Sequence, residues 1–384
     1  MLLGAIAVLV ARQISPADAV RSINTDVILF LFGVFIVGRA LEESGYLAHL
    51  AWRLFSRART MNMLVLAIIF GTGVFSAFLM NDTLAVIGTP LALSLSRKLE
   101  TPPKMLLLSL AFAVTIGSVA SPIGNPQNLL IAIHGHIANP FITFFRYLLL
   151  PTLLNLALAY GLIQLFYRRH LQHRIITYPE AVITDAGLAR VAKASLILLV
   201  ALVAVKIMLV FTGAFDMKLT YIALIAALPI VLFSPRRFEI VRRIDWSTLV
   251  FFAAMFILVQ SVWDSGYVQK AMTGLRLDLT SNAQIMGASV LLSQLISNVP
   301  LVALYLPVLA GLGGSVANMM ALAAGSTIAG NFTILGAASN IIIIQNAEKN
   351  AGETLTFWDF VKIGAPLTVV NVAVYWGFLW LVTR

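Results

Sequence analysis

Apolar residues run along the chain in long blocks with short polar interruptions. The blocks cover residues 1–11, 26–42, 61–98, 105–133, 141–167, 194–212, 219–233, 246–262, 282–312, 317–345 and 359–382. A helix rises ~1.5 Å per residue and a bilayer core is ~30 Å thick, so about 20 residues cross it. Several blocks fit that length and several do not. The block 105–133 would make a straight helix of ~44 Å, but Ser121-Pro122-Ile123-Gly124-Asn125-Pro126-Gln127-Asn128 lies inside it. Two prolines and a glycine there predict two half-helices joined at membrane depth. The block beginning near Ala317 carries Gly325, Gly330, Gly336 and Asn340, which predicts a second break. The blocks 61–98 and 282–312 have polar tips at Asn81-Asp82-Thr83 and Ser297-Asn298-Val299-Pro300. The arms after these tips are too short to span, which predicts two re-entrant hairpins. Irregular backbone at that depth survives where it is buried in protein or lines an aqueous cavity. The block 1–11 reaches about half way across the core. It has no basic flank or clear cleavage site and does not read as a cleavable signal. It is expected to be a partial helix, or the natural start lies upstream.

The pattern repeats. Ile23-Asn24 corresponds to Ile244-Asp245, and Glu43-Ser44-Gly45-Tyr46 to Asp264-Ser265-Gly266-Tyr267. Asn81 and Pro90 correspond to Asn298 and Pro307, Gly124 and Asn128 to Gly336 and Asn340, and Pro151 and Asn155 to the region of Pro366 and Asn371. Matches in one order imply an internal duplication: 1–174 as the first repeat, 175–218 as a linker with an odd helix, and 219–384 as the second repeat. Together they form one membrane domain.

Composition fixes the class. Of 384 residues, 60% are hydrophobic and 11% charged, against roughly 25% charged in a soluble domain. The chain is expected to be a multi-pass protein of a plasma (inner) membrane, with the lipid bilayer as a partner and too little polar surface for nucleic acid. There are no cysteines, which excludes disulfides, thiolate metal sites and cysteine nucleophiles. No nucleophile–base pair and no Gly-rich phosphate loop with Lys is present, so no catalytic residue, metal site or cofactor is expected and the chain does not read as an enzyme. His134-x-His136 is a possible metal pair without a carboxylate beside it. The net charge of +10 acts as an orientation label. Placing the charged loops around 53–59, 97–104, 168–193, 236–243, 349 and 362 on the cytoplasmic side puts 17 of the 26 basic residues inside. The first hairpin then enters from inside and the second from outside, with the helix at 194–212 inverting the second half. Inverted repeats with broken helices at the midplane are transporter architecture. Arg39 is expected to anchor at an interface and Lys206 to snorkel or pair within its helix.

At these residues the sequence resembles the ion transporter superfamily. The nearest members are its arsenite permease/sodium–proton antiporter group and its divalent anion:sodium symporter, citrate-transporter-like group. Asn81-Asp82-Thr83 resembles the Asn-Asp tip of the former, and Gly124-Asn125-Pro126-Gln127-Asn128 the Gly-Thr-Pro-Pro-Asn break of the latter. Ser297-Asn298-Val299-Pro300 and Gly336-Ala337-Ala338-Ser339-Asn340 are their counterparts, the second without prolines. The resemblance covers nearly the whole chain. It implies an all-α polytopic fold of two inverted repeats, working as an elevator-type homodimer that moves a small anion or oxyanion with Na⁺ or H⁺. A Na⁺/H⁺ antiporter is the alternative. By position it implies substrate contacts at Asn81, Asp82, Thr83, Asn125, Pro126, Ser297, Asn298, Val299 and Ala337. Cation contacts fall on Asn81, Asp82, Gly124, Asn128, Asn298, Gly336 and Asn340. Asp82 stands where the symporters have a neutral residue, and Val299 and Ala337 where they have hydroxyls, so the second half is poorer in side-chain ligands. An acid at bilayer depth costs ~3 kcal/mol or more, which makes Asp82 a candidate proton carrier or cation ligand. The bland reading of Asp82 is a helix cap. Asn128 and Asn340 either bind an ion or tie down broken backbone.

Overall fold

The computed structural model describes residues 1–135, 137–171, 182–212, 217–267, 270 and 280–383. Arg174, Arg276, Arg384, His136 and the boundary between residues 174 and 175 lie outside them. Among the described residues the regular structure is helical.

The elements are α1 (Leu2–Val10), α2 (Pro16–Ser22), α3 (Thr25–Glu43), α4 (Tyr46–Phe55), α5 (Met61–Ser76), α6 (Asn81–Lys98), α7 (Pro103–Ser118) and α8 (Pro126–His134). After α9 (Pro140–His170) come α10 (Ala186–Thr212), α11 (Leu219–Phe233), α12 (Arg237–Arg242) and α13 (Trp246–Asp264). The rest are α14 (Asn282–Ile296), α15 (Asn298–Gly311), α16 (Val316–Ile328), α17 (Ala338–Ala351) and α18 (Phe357–Val382). Helices α9, α10, α13 and α18 are long and apolar enough to cross a membrane, and the bent pair α2–α3 makes up to five such spans. Both hairpins and both breaks fall where the sequence pattern places them.

The duplication is visible in local geometry. Helices α3 and α13 each have 19 residues, with Asn24 and Asp245 as N-caps. The N-cap side chains accept from the Val27 and Thr248 amides and satisfy two of the donors that a helix start leaves open. Each helix ends on a glycine with positive φ, Gly45 at 72° and Gly266 at 68°. A side chain there would be strained, which explains why the Ser-Gly-Tyr motif recurs at both ends.

Packing divides the helices into two groups. Helices α1, α2, α3, α10, α11, α12 and α13 pack on one another, and α5 to α9 with α14 to α18 form the second group. The principal contacts between the groups are α3 against α6 and α8, and α13 against α15, with α4 as the connector. Within the second group α5 and α7 touch so closely that a Cβ on Gly117 would collide with the backbone of Gly73. Where α9 meets α18, the corresponding residues Asn155 and Asn371 bond to each other at 2.8 Å.

Arg39 does more than anchor at an interface. It pairs with Glu42 and Glu43 at 2.9 Å, and Glu43 also takes Arg236 and Arg243. Arg236 extends the network to Asp185 and Glu239. The four residues from Arg39 to Glu43 give one helical turn, which makes an expected interface anchor part of a brace across α3, the start of α10 and α12. Lys206 is buried and its Nζ donates to the Met217 carbonyl at 2.7 Å, as a short snorkel.

Candidate functional site

The breaks come first, because they decide where free backbone groups point. At the first break, Asn125 caps α8 by accepting the Asn128 amide. Its Nδ2 reaches the hydroxyls of Ser118 and Thr327. Asn128 Nδ2 donates to the carbonyls of Ser118, Val119 and Ser121 at 3.0–3.2 Å. These are the carbonyls that the end of α7 leaves without helical partners. Gly124 gives its carbonyl to the Asn81 amide at 3.0 Å, and Asn81 Oδ1 accepts the Asp82 amide at 3.0 Å. The first tip and first break are thus each held by their own side chains and joined by a backbone bond.

The second break is arranged alike but is less complete. Asn340 Nδ2 donates to the Gly330 carbonyl at 2.6 Å, and Gln294 donates to that of Ala329 at 2.9 Å. No side chain caps the start of α15 or of α17. Among the described residues Ser289, Ser293 and Ser339 Oγ and Asn298 and Asn340 Oδ1 are buried without a hydrogen-bond partner. Ser297 holds a left-handed φ of 67° at the tip, a conformation that costs about 1–3 kcal/mol and clusters at functional sites.

Between the two tips lies a cavity of about 370 Å³. It is lined by Asn81, Asp82, Pro126, Gln127, Ser297, Asn298, Val299, Ala337 and Ala338 from the hairpin-and-break group. Helix α13 of the other group adds Ser247, Thr248, Phe251 and Phe252. The first residues of α6, α8, α15 and α17 therefore all reach one cavity. Helix starts carry free N–H groups and partial positive charge, which favour anions. Asp82 is the one carboxylate among the lining residues, and no Lys or Arg is among them. The hydroxyls of Ser247 and Thr248 donate to Asp245. Their protons are spent there, so toward a solute they offer lone pairs.

Several expected residues sit elsewhere. Asn125 and Asn128 are fully buried and saturated by the break, which takes Asn125 out of substrate contact and gives Asn128 the backbone-tying role. Gly124, Gly336 and Asn340 also lie off the cavity lining. Thr83 faces Gly38 and lines a second cavity. Gln127, Ser247, Thr248, Phe251, Phe252 and Ala338 were not picked out from sequence. The polar start of α13, Asp245-x-Ser247-Thr248, was the available signal, already marked by its correspondence to Asn24.

Two further cavities flank the central one. The first, about 240 Å³, is lined by Phe35, Gly38 and Arg39 of α3, Asp82, Thr83 and Val86 of α6, and Arg243 and Asp245. The second, about 340 Å³, is lined by Phe256, Val259 and Gln260 of α13, Ala303, Leu306, Pro307 and Ala310 of α15, and Ser22 and His134. The α3 and α13 residues are equivalent, counted from their N-caps, and so are Arg243 and Ser22. The arm residues are not. Counted from Asn81 and Asn298, Val86 matches Ala303, but the first cavity lies toward the tip and the second toward the base. The two arms are thus offset against the same frame by four to seven residues, or ~6–10 Å.

Two packed helix groups around a midplane-type cavity, with duplicated hairpins and broken helices, define a multi-pass membrane transporter. A family model described as "Citrate transporter" matches residues 1–318, and the chain belongs to that family. It is 29% identical over 404 residues to an uncharacterized transporter of Mycobacterium tuberculosis, covering 99% of this chain and 92% of that one. It is 27% identical over 442 residues to the silicon efflux transporter LSI3 of Oryza sativa subsp. japonica, covering 97% and 90%. Among solved structures it is similar in fold to the YdaH transporter of Alcanivorax borkumensis. That match has a TM-score of 0.64 and 18% identity, and covers 95% of this chain and 86% of that chain.

Proposed function

We propose that the protein is a secondary active transporter of a small oxyanion or its parent oxyacid, coupled to H⁺ or Na⁺, in a plasma (inner) membrane. The convergence of four helix starts on one cavity carries this reading. A solute oxygen takes the N–H groups at the starts of α15 and α17, which carry no side-chain cap. Asp82 with Asn298 Oδ1 holds the coupling ion, which offsets the charge of the solute. A cavity without Lys or Arg suits one accompanied or neutralised oxyacid better than a bare polyanion. The substrate named for the rice relative, silicon, is in keeping with an oxyacid.

The division into two packing groups supports alternating access. The group containing α5 to α9 and α14 to α18 moves as an elevator past the frame of α3, α10, α11 and α13. The arm offset supports a bundle displaced toward one side. With the basic loops inside, that side is the cytoplasm. A Na⁺/H⁺ antiporter of the same superfamily is the second reading, favoured by the carboxylate and acceptor-rich lining.

Purified protein in liposomes, given silicate, arsenite, phosphate, sulfate and dicarboxylates under imposed H⁺ or Na⁺ gradients, tests this reading. One oxyacid is accumulated against its gradient, and Asp82→Asn abolishes accumulation while the protein still folds. Proton release on adding Na⁺ alone, with no oxyacid moved, selects the antiporter. Unchanged coupling in Asp82→Asn overturns the role of Asp82.

A further inference from the structure

At the outer end of α3 a hydrogen bond between side chains joins the two helix groups. Asn24 Nδ2 lies 2.7 Å from His134 Nε2. Asn24 is the N-cap of α3 and His134 the last residue of α8, so the contact joins the frame to the moving bundle. The cap fixes its polarity. Asn24 Oδ1 accepts the Val27 amide at 2.8 Å, so the atom facing the imidazole is the NH₂ donor. His134 Nε2 must then be an acceptor, which an imidazole offers only when neutral. Protonation sets two donors against each other and removes the bond. The His134 ring is exposed beside the second flanking cavity, where protons reach it.

We propose that Asn24 and His134 form a proton-released latch that holds the bundle in its cytoplasm-facing position, an inference that rests on the elevator reading above. Across the cavity α13 presents Gln260, whose amide donates to Asp264 at 2.8 Å. On α3 Asp26 is engaged by Lys218 at 3.2 Å and by Thr220, and on α2 Arg21 stands by Asp18. The lining residues of α15 are Ala303, Leu306, Pro307 and Ala310, all apolar. The equivalent of Asn24 in the other repeat is Asp245, also an N-cap, so the position accepts either residue without losing the cap.

The sign follows from the bond. With the imidazole neutral the latch is made. As a fall in external pH protonates it, the latch opens and the outward-facing population rises. An exposed hydrogen bond of this kind shifts that population roughly two- to fivefold.

The test uses two cysteine pairs, introduced into a chain that has none. Cross-linking of Ser22→Cys with Ala310→Cys reports the present position, and of Ser22→Cys with Val299→Cys the outward one. Lowering external pH from 8 to 5.5 shifts cross-linking toward the second pair in the native background and not in His134→Phe. Asn24→Asp reverses the sign, because a carboxylate accepts from a protonated imidazole. An Asn24→Asp protein with the native sign, or a dependence removed by His136→Phe instead, overturns the latch. Absence of the second cross-link at every pH would instead overturn the elevator reading on which the latch rests.

Discussion

The two halves of this protein share a plan and differ in what they leave unsatisfied. In the first half, Asn81, Asn125 and Asn128 spend their side chains on the tip and break that contain them. In the second half the starts of α15 and α17 have no side-chain cap, and seven buried side-chain oxygens have no partner among the described residues, against those of Thr101 and Thr115 in the first. Buried polar groups without partners are costly, and each such group calls for an explanation. A duplicated fold can thus use one copy to hold the geometry and the other to receive ligand. The side-chain poverty expected of the second half, from Val299 and Ala337, leaves its backbone N–H groups and orphaned oxygens available.

The comparison breaks most visibly at the asparagines. Asn128→Ala removes three hydrogen bonds to buried carbonyls, of which that of Val119 has no other partner among the described residues, and costs ~3 kcal/mol of stability. Asn340→Ala loses two bonds, one of them long at 3.4 Å, and costs ~1–2 kcal/mol. Thermal unfolding in detergent measures both, and equal losses would mean that the breaks are equally braced. Function should show the reverse order. Asn298→Ala raises the coupling-ion concentration for half-maximal transport about tenfold, as expected for one lost ligand of ~1.4 kcal/mol. Melting is little changed, because Asn298 Oδ1 bonds nothing in the described structure.

The smallest expected effect concerns the charged brace at Glu43. The Leu188 amide, with Arg236 beside it, holds Asp185 below the usual carboxylate range. A hydrogen bond from Arg236 does the same for Glu239. Groups with depressed folded values contribute above the ordinary carboxylate value, near pH 4, and lose that contribution as pH falls through the folded value. Between pH 5 and 8 the contributions of Asp185 and Glu239 to the brace are therefore constant. Glu239→Gln should leave the pH profile of transport in that window unaltered, and a changed profile would show that the brace titrates there.

Much of the fold was legible in the sequence because a membrane makes length errors informative. Residues 105–133 were too long for one span and contained two prolines, so the break at 119–125 could be placed. The hairpin tips followed from Asn81-Asp82-Thr83 and Ser297-Asn298. The site was legible in part. Asn81, Asp82, Pro126, Ser297, Asn298, Val299 and Ala337 do line the cavity. Asn125 and Asn128 do not, because the same amide that could hold a ligand also suits stranded helix-end carbonyls, and spacing does not tell the two uses apart. Ser247 and Thr248 were missed because they come from the other helix group, and sequence distance hides that approach.

Cross-linking across the frame tests the central claim, that the cavity changes sides by sliding, most directly. The cysteine-free sequence makes the background empty. If Val299 reaches the frame position equivalent to the one that Asp82 occupies here, Ser22→Cys and Val299→Cys will link in membranes during transport and arrest it. Reduction will restore it. A pair that never links in a protein actively carrying solute would contradict the account.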